Sequence, residues 1–280
     1  MTRVLVTGAT GTLGSALVPR LRSADCEVRA ASRSPPGDSG TEGVDVDRDE
    51  SVEWVELDVV SGDGVDAAVG DVDVVVHCAS APTGDTEAVD VEGTERLLKT
   101  VEEADVSNFV YPSIVGVEEI PFSYYEHKLA AERAVEASGV PHTILRATQF
   151  HEFVHELLGM VSRVPVWFLP TRFRVQSVAA AEVADAIVEY ATPEASGRVP
   201  DVGGPAVHTL GELARSYREA RGSWRPIVRV PIPGAVASGF RAGHNTCPDR
   251  AVGTVTWDDW LAERYGESRE STGRTAGSPS

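Results

Sequence analysis

The sequence predicts an α/β fold, a doubly wound parallel sheet with a small C-terminal lobe. Three observations carry this expectation. Apolar, β-branched runs alternate with helical periods through the first 150 residues. The run at 72–80, "VDVVVHCAS", holds three consecutive valines, as a parallel strand covered on both faces does. A Gly8-x-x-Gly11-x-x-Gly14 spacing falls between the first strand and the first helix.

The elements follow in order. "RVLVT" (3–7) is the first strand, and Leu13, Leu17 and Leu21 share one face of the helix after it. Pro19 is expected to kink that helix or restrict its hydrogen bonding. "EVRAAS" (27–32) is the second strand, and the acidic, Pro- and Gly-rich stretch 33–51 is a surface loop. Strands at 52–59 and 72–80 flank a short helix near 63–69. Helices at 86–104 and 123–138 then lead to strands at 108–117 and 142–150. At least six strands are expected.

Past 150 the pattern loosens. "VPVWFLPTRFRV" (164–175) is aromatic and punctuated by proline. Helices at 179–192 and 209–221, a strand near 198–202, an edge strand and helix within "IVRVPIPGAVASGF", and a closing helix at "TWDDWLAERYG" follow. The expected organisation is a dinucleotide-binding core at 1–150 and a substrate lobe at 151–265, part of which returns to the core sheet. Residues 266–280, with Ala276 their only hydrophobic residue, are expected to be a disordered tail.

Composition narrows the function classes. With 43 acidic against 25 basic residues the net charge is −18, which argues against a nucleic-acid partner. Only Lys99 and Lys128 are lysines; the other 23 basic residues are arginine. Acid-rich, lysine-poor chains are similar to cytoplasmic proteins of salt-accumulating halophiles, in which salt screens the repulsion. No apolar run approaches the roughly 18 residues that span a bilayer. The N-terminus has no secretory pattern, so a cytoplasmic location is expected. Cys26, Cys78 and Cys247 are odd in number and far apart, indicating neither a disulfide framework nor a cysteine metal site.

The glycine loop is the first candidate site. Gly8, Thr10, Gly11, Thr12, Leu13 and Gly14 let the backbone turn tightly and approach a pyrophosphate, which a helix N-terminus then attracts. The second strand ends in Ser32-Arg33, with no acidic residue to hold a ribose 2′-hydroxyl. A hydroxyl followed by a guanidinium suits a 2′-phosphate, so NADP(H) is favoured and NAD(H) is the alternative.

The second is Tyr124-x-x-x-Lys128. On a helix these are neighbours at i and i+4, and a nearby ammonium lowers a phenol's pKa toward use as a general acid/base. Ser113, at the end of the preceding strand, is placed to donate to a substrate oxygen. Tyr125 is a substitute phenol without the i+4 spacing.

The third spelling is a decoy. His151-Glu152-Phe153-Val154-His155 matches the H-E-x-x-H signature of zinc metalloproteases, whose helix-borne histidines ligate the metal. A third ligand is needed, yet residues 157–181 contain no Asp, Glu, His or Cys. No metal site is expected. His151 is expected to face a substrate, and His155 to lie on the helix surface.

Together the glycine fingerprint, "LDV" after the third strand, "VDVEGTERLL" (89–98), "YPSIVGV" and "YYEHKLAAE" (124–132) resemble the short-chain dehydrogenase/reductase superfamily. The resemblance runs over about residues 3–262 and is to the atypical extended branch, with its NmrA-like and NAD(P)-binding epimerase-like members. It implies a Rossmann fold and an oxidoreductase acting on a small carbonyl or quinone-like substrate. It implies that Asp58 and Val59 flank the adenine, that Cys78, Ala79 and Ser80 line the cofactor, and that Thr148 lies near the nicotinamide. Lys128 would also hold the nicotinamide ribose. Other members are regulatory or accessory NADP(H)-binding proteins (NmrA-like or complex I accessory-subunit-like), or NAD-dependent sugar epimerases and dehydratases. A homodimer is left open. One departure stands out: Asp90 occupies a position where many extended members have asparagine.

Overall fold

The computed structural model describes residues 1–36 and 52–273; most of the predicted loop at 33–51 lies outside them. In chain order the elements are β1 (Arg3–Thr7), α1 (Thr12–Ser23), β2 (Glu27–Ser32), β3 (Glu53–Glu56), α2 (Val65–Val69) and β4 (Val74–His77). A π-helical turn, Glu87–Glu92, opens α3 (Gly93–Glu103). Then come β5 (Asn108–Ile114), α4 (Ser123–Ala137), β6 (His142–Ala147), α5 (His151–Val161), β7 (Trp167–Leu169), β8 (Arg174–Val175) and α6 (Ala180–Val188). The chain continues with β9 (Gly197–Arg198), β10 (His208–Thr209), α7 (Leu210–Ala220), β11 (Ile227–Arg229), α8 (Ala235–Ala242) and α9 (Trp257–Gly273).

Two compact units emerge: Met1–Ala147 with Ala180–Asp201, and Thr148–Ala179 with Val202–Ser280. The first is a seven-stranded sheet in the order β3-β2-β1-β4-β5-β6-β9, every pair parallel. Parallel pairing needs crossover helices, and these cover the sheet, so β4 is buried at all four residues, Val74 to His77. One continuous core runs from Leu5 and Val75 through Leu97, Phe109, Tyr111 and Ile144. The strand order reverses between β1 and β4, the place where open α/β sheets form a ligand crevice.

Helix α1 buries Leu13, Leu17, Val18 and Leu21, as the leucine spacing predicts, and runs as one helix with Pro19 inside it. The segment 180–201 supplies α6 and the seventh strand. Arg20 of α1 meets Asp185 of α6 at 2.6 Å. Three hydroxyl and imidazole groups knit the first unit internally. His77 is fully buried, its Nδ1 2.7 Å from the Thr7 hydroxyl and its Nε2 3.0 Å from the Thr94 hydroxyl. Burial, followed by the Lys128 charge, pushes this imidazole down to about 3, so it is neutral at physiological pH.

The second unit is built differently. Its strands are short: β8 pairs β10 antiparallel and β7 pairs β11 parallel. Its core is aromatic, with Trp167, Tyr217 and Trp257 packed among Leu158, Leu210 and Leu261. A capping box at Thr209 and Glu212 opens α7. Helix α9 continues to Gly273, so the unstructured tail expected from 266 starts instead as helix.

Candidate active site

The glycine loop is as tight as its spacing implies. Gly8 sits at φ +64°, in the left-handed region, and a Cβ there would lie 2.7 Å from the Ala79 backbone. A Cβ on Gly14 would lie 2.3 Å from the Gly8 carbonyl oxygen. Only glycine lets the loop fold onto the first turn of α1. Gly11 caps that helix with no side-chain hydrogen bond, leaving the helix N-terminus open to an anion, and Thr10, Gly11 and Thr12 are exposed beside it. At the end of β2 the Ser32 hydroxyl is buried with no partner among the described residues, next to the exposed Arg33. A cradle that any Cβ would fill, an open helix end and an orphaned hydroxyl all fit a dinucleotide.

Beyond β3, Asp58 accepts the Val60 N–H at 2.8 Å, and Val59 is buried. Val59 lies where a Cβ on Gly93 would come within 2.8 Å of it, which accounts for the glycine in "VDVEGT". After β4, Cys78 lies against the glycine loop, and burial pushes its thiol up to about 12. The thiol is therefore protonated at physiological pH.

The polar centre lies at the ends of β4 and β5 and on α4. Lys128 is 4% exposed; its Nζ donates to the Pro112 carbonyl at 3.0 Å and sits 4.1 Å from the Tyr111 ring centroid. Asp90, its side chain fully buried, approaches Lys128 at 3.7 Å. The Asp90 carboxylate also accepts from the Ser80 hydroxyl at 2.7 Å and from the Ala81 N–H at 3.1 Å. The Ser80 hydroxyl is in turn 2.9 Å from the Tyr124 hydroxyl. A continuous line of hydrogen bonds runs Tyr124–Ser80–Asp90.

Several expectations change here. Lys128 alone was expected to lower the Tyr124 phenol. Burial outweighs it, and with Asp90 pushing the same way the phenol stands above its ordinary value, though Lys128 pulls downward. Ser113 lies on the same strand as Tyr111, its hydroxyl buried without a partner among the described residues. The hydroxyl beside Tyr124 is Ser80's. Tyr125, the substitute phenol, is buried at 2% exposure. Asp90 was legible only as an oddity, because the π-helical turn that buries it has no spacing signature.

Thr148 opens the second unit, where its hydroxyl accepts the Gly204 N–H at 3.3 Å. His151, expected to face a substrate, is fully buried. Its Nε2 is 3.0 Å from the Val255 carbonyl, and its ring packs on Trp257 and Trp260. An apolar helix face buries against its own unit first, and His151 lies on that face. His155, expected on the helix surface, is half-buried, with Nε2 2.7 Å from the Tyr265 hydroxyl. It lines an open cavity of about 620 Å³ between α5, α7 and α9 that contains none of the residues of the polar centre. Among the described residues no group of three His, Cys, Asp or Glu side chains is placed to hold a metal, and no helix is long and apolar enough to cross a membrane.

A seven-stranded parallel sheet with this loop at its switch point defines a Rossmann protein that binds a nicotinamide dinucleotide. The chain belongs to the NAD(P)H-binding family, whose model matches residues 8–193. Two curated relatives are plant proteins. The chain is 24% identical over 239 residues to the High Chlorophyll Fluorescence Phenotype 244 protein of Arabidopsis thaliana chloroplasts, covering 82% of this chain and 58% of that protein. It is 30% identical over 163 residues to the chloroplast divinyl chlorophyllide a 8-vinyl-reductase of Cucumis sativus, covering 53% of this chain and 39% of that protein. The chain thus spans less than two thirds of either relative. Solved structures share the fold at 18% identity and TM-score 0.72. One is a nucleoside-diphosphate-sugar epimerase from Staphylococcus aureus, with coverage of 93% of this chain and 99% of that one. Another is the Bordetella bronchiseptica enzyme WbmH in complex with NAD+, with coverage of 95% and 99%.

Proposed function

We propose that this protein is an NADP(H)-dependent oxidoreductase of the atypical extended short-chain type, interconverting a small organic carbonyl or quinone-like compound and its alcohol. The observation that carries the reading is the buried ammonium of Lys128 set among Asp90, Ser80 and Tyr124 at the strand ends beside the glycine loop. Even a paired buried lysine carries a desolvation penalty on the order of several kcal/mol per ion, so its placement calls for a use. The plant reductase relative and the NAD+-bound structural neighbour support the class.

Gly8, Gly11 and Gly14 would hold the pyrophosphate, and Ser32 with Arg33 the 2′-phosphate. Asp58 and Val59 would flank the adenine, and Cys78 and Ala79 would line the cofactor. Lys128 would hold the ribose. When bound, the nicotinamide exchanges a hydride with the carbinol carbon. Tyr124 exchanges the proton on the oxygen, and Ser113 and Ser80 are the hydroxyls available to orient that oxygen. The composition supports a cytoplasmic setting in a high-salt cell.

Replacing Tyr124 with Phe tests this. The ring and its packing remain, so NADPH affinity should hold, while turnover on a panel of ketones and quinones drops at least ~10²-fold. A wild type that binds NADPH but oxidises it with none of the panel would favour the second reading, an NmrA-like regulatory protein. The raised Tyr124 phenol is the observation on that side.

A further inference from the structure

We propose that Asp90 is the terminal proton acceptor of this site, and that the hydroxyls of Tyr124 and Ser80 relay the proton to it. The inference rests on the oxidoreductase reading above and assigns a base that the reading leaves open.

The argument is one of hydrogen-bond direction. An ionised carboxylate can only accept, so the single proton of Ser80 points at Asp90 across 2.7 Å. Ser80 Oγ is then left with lone pairs toward Tyr124, 2.9 Å away, and the phenol donates to it. Tyr124 therefore keeps a lone pair free for the hydroxyl proton of a bound alcohol. When the alcohol is oxidised, its proton moves to Tyr124 Oη, the phenol proton moves to Ser80 Oγ, and the serine proton moves to Asp90 Oδ1. Three O–H bonds break and three form. The electron pair of the C–H bond leaves as hydride to the nicotinamide, and the carboxylate ends as a neutral acid. No tyrosinate is needed at any point, in keeping with a site whose burial disfavours one. Ser80 is exposed, so solvent can return the proton to bulk through it.

The surroundings of Asp90 suit the role. Lys128 and Tyr124 face it from α4, Tyr111 acts on it from β5, and the Ala81 N–H fixes Oδ2. Its own backbone carbonyl accepts the Thr94 hydroxyl at 2.7 Å, and Thr94 in turn meets neutral His77. An asparagine here would keep the Ala81 contact but could not accept a proton.

The test first needs no turnover. The ionisation of Tyr124 is followed by tyrosinate absorbance, as the difference between each protein and its Tyr124→Phe counterpart. Asp90→Asn should lower the pH of ionisation by about one unit, by removing a like charge and freeing Ser80 to donate to the phenolate. In a Ser80→Ala background the same Asp90→Asn change should move it less than half as far. Equal shifts in both backgrounds, or none in either, would overturn the relay. The second measurement is the pH profile of alcohol oxidation. Asp90→Asn and Ser80→Ala should each move the acid limb of kcat toward the phenol range with KM unchanged, and Ser80→Thr should restore the wild-type limb. A uniform loss of kcat with the limb unmoved would make Asp90 merely structural and would also sink the idea. A wild type that turns over no alcohol or carbonyl removes the oxidoreductase reading, while the ionisation coupling still decides whether the relay exists.

Discussion

The first unit of this chain holds 33 of its 43 acidic residues and 12 of its 25 basic ones; the second holds 10 acidic and 13 basic. Their formal charges are therefore −21 and +3. The net −18 is thus a property of one unit, and that unit is the one with the glycine loop. An anionic cofactor binding there must be held by local devices, because the general field repels it. An uncapped helix end, the exposed Arg33 beside Ser32 and one buried lysine are the groups available in that unit. The second unit, nearly balanced in charge, spends its polar groups inward, on Gln176, Thr148 and Asn245 bonded to its own backbone.

The sharpest way to test this division is to put a methyl group into each unit. Gly14→Ala places a Cβ 2.3 Å from the Gly8 carbonyl oxygen, and Gly204→Ala places one 1.8 Å from that of Ser177. Both should lower stability by ~1–3 kcal/mol or more, the cost of overpacking. Only Gly14→Ala should also weaken NADPH binding in the protein that remains folded, by at least ~100-fold, about 2.7 kcal/mol. Equal loss of NADPH affinity in the two variants, read by titration calorimetry, would erase the functional distinction.

Acid denaturation offers the next contrast. His77 in the first unit and His155 in the second are both pushed down, to about 3 and about 4, burial being the main cause in each. The unfolded chain binds a proton near pH ~6.5, so the stability from a neutral buried imidazole is complete above that pH and is lost as pH falls toward the folded value. The wild type should lose up to ~1.4 kcal/mol per pH unit for a fully buried histidine. His77→Gln should flatten that slope between pH ~6 and ~4 in urea melts, and His155→Gln should flatten it less. The reverse order would mean that the aromatic surroundings of His155 are the drier ones.

Cofactor choice and salt probe the smaller effects. Arg33→Ala should cost NADPH about 1.5–3 kcal/mol of affinity and NADH little. Equal losses would mean that Arg33 does not read the 2′-phosphate. Raising KCl from about 0.1 M to about 3 M should raise the melting temperature, since screening relieves the repulsion within the acidic unit. An unchanged melting temperature would remove salt adaptation from the account of the composition.

Much of the first unit was legible because its signals are local. The valines of β4, the leucine face of α1 and the glycine triplet each act within a few residues, and burial of a strand on both faces follows from parallel pairing alone. The i+4 spacing of Tyr124 and Lys128 placed them on one helix for the same reason. The second unit was less legible because its strands are two or three residues long, too short for a period to register. His151 shows the limit well. Its H-E-x-x-H spelling is local and suggestive, yet its burial against Trp257 and Trp260 is set by residues more than a hundred positions away.

By itself, then, the sequence determined the parallel sheet, the tight glycine turn and the placing of phenol and ammonium on one helix. Tertiary structure alone decided that the strand at 197–198 takes its place beside β6, and that Asp90 is turned inward by a π-helical turn. It also decided that Ser80, 44 residues from Tyr124, supplies the neighbouring hydroxyl. The physical reason is common to all three. Parallel strands deliver their C-terminal ends to one edge of the sheet, so residues remote in sequence meet there, and which hydroxyl faces which depends on helix packing that no spacing encodes.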